Sequence, residues 1–198
     1  MPSPFIIFWR ALKLWWGEIY NLLIVSLLWT LGTLLVITAP PAAAALHALA
    51  RRAAQGESVG WAEFFPQLGR YFWPSWGLAL CDTLILMIIA ANYRFWGRFA
   101  ERWVPWVQGV WGAIFLVWLV WQLYLWPALV APARPHVGRA MRNAFGLLLN
   151  APLQSLGLAL FCLALLLVSA GVVFPLFMAT PAIIAVACNV ALLSARRK

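Results

Sequence analysis

Charge is scarce in this 198-residue chain, where five residues are acidic and 10% are charged, against 65% hydrophobic. So little charge cannot cover a water-facing surface, and a mean hydropathy of +0.89 excludes a monomeric water-soluble globule. Cysteine is also scarce. Cys81, Cys162 and Cys188 all fall within apolar runs and form no C-x-x-C pair, so they read as small apolar residues and no disulfide framework is implied. The chain has no glycine-rich phosphate loop, no cluster of metal-ligand spacing and no nucleophile beside a base. No catalytic residue, cofactor or metal site is expected, and the chain reads as a non-enzyme.

What is abundant is uncharged sequence in blocks. A helix crosses the hydrocarbon core with about 20 apolar residues. Five runs approach that length, at 20–38, 75–91, 104–130, 152–173 and 174–193. The expected fold is all-α: a single membrane domain, a polytopic bundle of about five transmembrane helices with short cytoplasmic amphipathic helices. The third run is longer than a bilayer requires, which leaves its membrane limits open. The fourth opens with Pro152, a residue suited to the first turn of a helix. Gly171 and Pro175 mark a turn before the fifth, with a single broken helix as the alternative reading.

Tryptophan prefers the water–lipid interface. Trp15, Trp16, Trp73, Trp76, Trp96, Trp103, Trp106 and Trp126 flank the runs accordingly. Trp29, Trp111, Trp118 and Trp121 lie deeper and read as packing or lipid-facing bulk.

Cytoplasmic loops retain Lys and Arg. With five spans, the side holding the 51–70 loop, the 134–142 loop and the C-terminus carries nine basic residues, and the opposite side five. That bias places the C-terminus in the cytoplasm and the N-terminus outside. The N-terminus returns to the cytoplasm if the stretch from Pro4 to Trp16 enters the membrane, or if the last two runs form one span. A cleaved secretory signal ending near Ala39–Ala45 is a further alternative, disfavoured by Pro40 and Pro41 at the cleavage region.

The net charge of +9 is spread over loops that flank the runs, so the expected partner is a bilayer with anionic headgroups and not nucleic acid. Asp82 is the one charged residue inside the runs. An acidic group near a span centre costs about 2.5–3.5 kcal/mol on insertion scales, so it should face a cavity or a partner. Gln108 and Gln122 lie about two heptads apart on nearly one side of the third run, a side expected to face protein.

Between the first two runs, Ala42–Ala54 reads as a short helix with His47 and Arg51 one turn apart, next to Arg52. A second, interfacial helix follows through Trp61 to Phe72, the two forming an elbow on the cytoplasmic membrane face. In the third loop, His136, Arg139 and Arg142 share one helical face opposite Val137, Met141 and Phe145, a basic amphipathic helix. These six basic residues are candidates for lipid or partner contact.

Several segments carry a family resemblance. Val36-Ile37-Thr38-Ala39-Pro40-Pro41-Ala42 to Leu46 is a Pro/Ala motif closing the first run, followed by Arg51-Arg52, the Gly56-Glu57 turn and the aromatic stretch from Phe64-Phe65 to Tyr71-Phe72. Leu123 to Leu129 and Arg142 to Pro152 complete the pattern. Over nearly its whole length the chain resembles the YesL-like family, also known as the DUF624 family of bacterial membrane proteins. It departs from that family at Thr38-Ala39, where members usually carry glycine before the motif. The resemblance implies residence in the bacterial cytoplasmic membrane and an association with carbohydrate utilisation and sugar uptake, and it transfers no catalytic residue. The expectation is an accessory or assembly protein beside a carbohydrate ABC importer; the alternative is a small oligomeric transporter or channel using Asp82.

Overall fold

The computed structural model describes residues 3–171 and 178–196. They form eight helices and one 3-10 turn, and no strand occurs among the described residues. In chain order the helices are α1 (Pro4–Gly17), α2 (Ile19–Leu34), α3 (Ala39–Ala54), α4 (Phe64–Trp96), α5 (Val104–Val130), α6 (Val137–Asn150), α7 (Pro152–Ala170) and α8 (Thr180–Arg196), with the 3-10 turn Trp61–Glu63 before α4.

Ser3 starts α1 by accepting a hydrogen bond from the Ile6 N–H, with Pro4 where a missing N–H costs nothing. Ile7, Ala11 and Trp15 recur every four residues and are buried. At Glu18 the chain bends by 97° into α2. The Thr38 hydroxyl then donates to Gly32 O at 2.6 Å and Leu35 O at 3.1 Å, closing a short turn into α3. A Cβ on Gly32 would lie 2.9 Å from that of Ala42, so glycine sets how closely α2 and α3 approach.

The greatest difference from the sequence expectation is α3. It is not an elbow lying on the membrane but the centre of the bundle, packed on α2, α4, α5 and α8. Ala42, Ala44, Ala45, Leu46, Ala48, Leu49, Ala50, Ala53 and Ala54 are all buried. Small side chains on every face admit neighbours all round, as at helix contacts in bilayers. Alanine adds little apolar area of its own but gives closeness of approach.

The interfacial helix expected through Trp61 to Phe72 is likewise not separate. It continues through Pro74 into one 33-residue α4, about 50 Å long at 1.5 Å per residue. Phe64, Tyr71, Ser75 and Leu78 form its buried stripe. Pro74 removes one N–H, and its environment tolerates this as membrane helices often do.

Three helices are long and apolar enough to cross a bilayer, Trp61–Trp96 (α4 with its 3-10 turn), α5 and α7, and the bent pair α1 plus α2 makes a fourth if counted as one span. The chain is thus an all-α membrane protein with three to four membrane-length helices. The fifth expected run begins at Phe174, outside the described residues; its later part is α8, a shorter apolar helix whose residues from Ala182 to Leu192 are largely buried. α6 buries Ala140, Ala144 and Leu148 and lies mainly on α5.

Beyond Leu78 of α4 and before Tyr124 of α5, only Ile89 and Val104 are buried. These halves form an apolar two-helix arm of 18 residues on α4 and 20 on α5, about 27–30 Å, close to hydrocarbon thickness. Phe95, Trp96, Phe99 and Trp103 stack at its tip with centroids 5.3–6.0 Å apart. They form an aromatic cap of the kind that anchors membrane interfaces.

Overpacking the α2–α3 contact tests the central role of α3. Gly32→Leu is expected to destabilise the detergent-purified protein by about 1–3 kcal/mol. Leu153→Ala, at an exposed position, is expected to stay within about 0.5 kcal/mol. Equal melting temperatures for the two variants would show that the contact is not a packing constraint.

Candidate functional site

Asp82 sits on α4 where the arm leaves the bundle, half-buried and facing α5. The Gln122 amide donates to Asp82 Oδ1 at 2.7 Å and Oδ2 at 2.9 Å, and the Trp118 indole N–H donates to Oδ1 at 2.9 Å. Trp118 and Gln122 are four residues apart and so project from one face of α5. No Lys or Arg lies in salt-bridge range of Asp82 among the described residues. The carboxyl group is held by neutral N–H donors from a neighbouring helix, which suits a polar group kept out of lipid.

Trp118 had read as packing or lipid-facing bulk; it is instead a partner of Asp82, stacked on Phe115 with centroids 5.6 Å apart. Its position one turn before Gln122 was the available signal. Gln108 does not join this cluster. It too faces α4, but its amide reaches Tyr93 O at 3.4 Å near the arm's tip. An α4–α5 cleft of about 410 Å³ lies between these levels, lined by Leu86, Ile89, Tyr93, Arg94, Trp111 and Phe115 among others.

The basic candidates divide into two groups. Arg52 is engaged, its guanidinium paired with Glu57 at 2.9 Å and with Glu63, and its Nη2 3.4 Å from Ser58 O. This ties the α3 end to the 3-10 turn, so Arg52 is a fastening within the chain. Arg51 turns inward, with Nη1 buried and the guanidinium near Tyr71 of α4. His47 faces α8, where the Asn189 amide nitrogen lies 3.4 Å from its Nδ1 and 3.3 Å from its carbonyl oxygen. Burial pushes the His47 pKa down to about 3, so the ring is neutral at physiological pH. No local signal in the sequence singles out Asn189; 142 positions separate it from the histidine it touches.

His136, the N-cap of α6, and Arg139 and Arg142 on its outer face are exposed and make no ion pair among the described residues. Arg70 donates to Ala133 O at 2.7 Å, joining the first half of α4 to the loop before α6. No group of three or more His, Cys, Asp or Glu residues able to hold a metal occurs among the described residues.

The Asp82 cluster predicts an ordering of variants. Gln122→Leu leaves the carboxyl group short of donors and is expected to cost about 1–3 kcal/mol, whereas Asp82→Asn keeps one acceptor oxygen and is expected to cost less. A double-mutant cycle between the two positions, read by thermal denaturation in detergent, is expected to give a coupling of about 0.5–3 kcal/mol. Additive effects would show that the bonds do not hold α4 to α5.

No match was found among curated proteins or among solved structures. The model of one family matches residues 22–93, a stretch from α2 to near the end of α4 that contains His47, Arg51, Arg52 and Asp82 but none of the partners on α5 and α8. Over that segment the chain matches the family described as "Protein of unknown function, DUF624", the one its sequence resembles.

Proposed function

We propose that this chain is a non-enzymatic accessory or assembly protein of the bacterial cytoplasmic membrane, acting beside a carbohydrate ABC importer. One contrast carries the accessory reading. The charged group of the apolar runs, Asp82, is already occupied by Trp118 and Gln122, whereas His136, Arg139 and Arg142 stand outward from a helix whose other face is fixed to the bundle. The hydrogen-bonding capacity of Asp82 is met within the chain, and that of the basic face of α6 is open. Anionic headgroups are the first occupant of that basic face, and a protein partner docks against the same side. The YesL-like resemblance supplies the link to sugar uptake.

The expected result of affinity purification from native membranes in mild detergent is co-enrichment of importer subunits. Arg139→Glu combined with Arg142→Glu is expected to reduce that enrichment without changing the melting temperature. Recovery of the wild-type chain alone would overturn the reading. It would favour the transporter alternative, which draws on the α4–α5 cleft next to Asp82 and requires Asp82→Asn to lose transport.

One recess bears on the orientation. Arg10 of α1, Gln55 at the end of α3 and Ser194 near the end of α8 line a common cavity of about 290 Å³. Arg10 and Lys13 therefore join the richer basic side, giving eleven basic residues against three. This supports a cytoplasmic position for both ends of the chain. In a background lacking the native cysteines, Ser3→Cys and Gln55→Cys are expected to resist an impermeant maleimide on intact spheroplasts and to react after lysis, and Arg98→Cys the reverse. Labelling of Ser3→Cys on intact spheroplasts would return the N-terminus to the outside.

A further inference from the structure

The arm carries a groove that changes character along its length. Leu86, Ala90, Arg94 and Arg98 recur every fourth residue and form one ridge of α4 and of the turn that extends it, where the Arg98 N–H still bonds to Phe95 O at 3.2 Å. The first part of the ridge is one wall of the α4–α5 cleft of about 410 Å³, with Trp111, Gly112 and Phe115 opposite on α5. The last part borders a second recess of about 450 Å³, beside Asn92 and Phe95. Arg94 lines both, so the apolar cleft and the basic recess meet at that residue.

The charge along the groove has one sign. Arg94 and Arg98 are exposed, and their side chains make no hydrogen bond or ion pair among the described residues. No acidic residue among the described residues lines either recess. Glu101, the one acid between 91 and 106, accepts a hydrogen bond from the Trp103 indole N–H and pairs with no arginine among the described residues. The Asn92 amide nitrogen is used on Ile88 O at 2.8 Å. Two unpaired guanidinium groups one turn apart suit a phosphate group, whose oxygens each fork of N–H donors can hold in pairs.

The depth of the groove matches an amphiphile. From Leu86 to Arg94 the ridge climbs about 12 Å at 1.5 Å per residue, along a cleft whose other wall residues are apolar apart from Tyr93. The arm has about the length of the hydrocarbon layer, and Phe95 belongs to the aromatic cap at its interfacial tip. The cleft therefore lies among acyl chains and the two cations at headgroup level. A Cβ on Gly112 would meet nothing within 4 Å, so glycine leaves the cleft open at that point. A free phosphate would leave the cleft unfilled. A zwitterionic lipid would bring an ammonium group to a site without a carboxylate, beside two cations.

We infer that this groove binds an anionic phospholipid, its phosphate held by Arg94 and Arg98 and an acyl chain lying in the α4–α5 cleft. The site is independent of the basic face of α6 used in the proposed function. That helix begins against the bundle half of α4, where Arg70 bonds to Ala133 O and a Cβ on Gly77 would lie 3.1 Å from Val137.

Photolabelling of the full chain, purified in mild detergent, tests this. The probe is a phosphatidylglycerol with a diazirine in its acyl chain, with adducts mapped by mass spectrometry. Saturable labelling is expected on the segments 86–94 and 111–115. Unlabelled phosphatidylglycerol is expected to displace the probe about tenfold more effectively than phosphatidylethanolamine. Arg94→Gln combined with Arg98→Gln removes the charged donors and is expected to weaken labelling by about tenfold or more. Gly112→Leu fills the cleft while keeping both cations, and is expected to weaken it comparably. Neither variant removes a side-chain contact of the fold, so wild-type melting temperatures are expected; if one fails to fold, the other still decides. Labelling unchanged by the folded variants would overturn the inference, as would equal displacement by phosphatidylethanolamine. Displacement by inorganic phosphate at the concentration where phosphatidylglycerol acts would also overturn it, since a free anion would then suffice.

Discussion

The structure depends on how closely other helices can approach α3. In a bilayer the lipid tails are as apolar as any side chain, so burial of apolar area gives little reason for one helix to prefer another over lipid. Close contact between backbones must supply the cohesion, and that needs side chains no larger than methyl groups. The run from Ala42 to Ala54 provides them on all sides, and Gly32 extends the same device to α2. With α3 in the centre, α2, α4, α5 and α8 take their places around it. α1 and α7 close the outside, where Pro4 sits against Gly157 and Phe8 stacks on Phe161 at 5.3 Å.

A second constraint governs the arm. Its distal α4 and α5 segments have only each other for protein contact over most of their length, so a polar link between them is held in a low-dielectric setting where unpaired groups are costly. Asp82 is placed at the base, and Trp118 and Gln122 deliver three N–H···O contacts to it. A carboxyl group without such donors would draw water or a cation into the apolar layer. The same logic orders the ends of the bundle, where Tyr124 meets Ser155 at 3.0 Å and Ser169 meets Thr180. Hydroxyl pairs join α5 to α7 and α7 to α8 without introducing charge.

Much of the helix pattern was legible in the sequence. α5 occupies 104–130 as its uncharged run does, α7 opens at Pro152, and α6 is an amphipathic helix carrying Arg139 and Arg142 on its outer face, with His136 at its N-cap. These features are written in local composition, which a bilayer reads directly. The place of α3 was not legible, because an alanine-rich stretch near Arg51 and Arg52 looks the same whether it lies on a surface or is packed on every side. The continuity of α4 through Pro74 was hidden by a residue that usually ends helices. Among the candidate polar residues, Asp82 and Gln122 were identifiable singly from the rarity of polar groups in spans. Their pairing, the third partner Trp118, and the contact of His47 with Asn189 are long-range facts that one sequence does not encode in any local period.

The distribution of unsatisfied polar groups then separates what the fold needs from what it presents. Arg52, Asp82, Asn189 and the hydroxyl pairs bond within the chain and account for its internal connections. Cations on α6 face outward, where long side chains in contact with headgroup water keep their charge at little cost. The indole N–H groups of Trp15, Trp29 and Trp121 lie inside without a hydrogen-bond partner among the described residues, where burial makes an unmet hydrogen bond expensive. The buried donors are a cost that close packing of the bundle outweighs, whereas the outward cations on α6 are what the molecule presents through the headgroup layer.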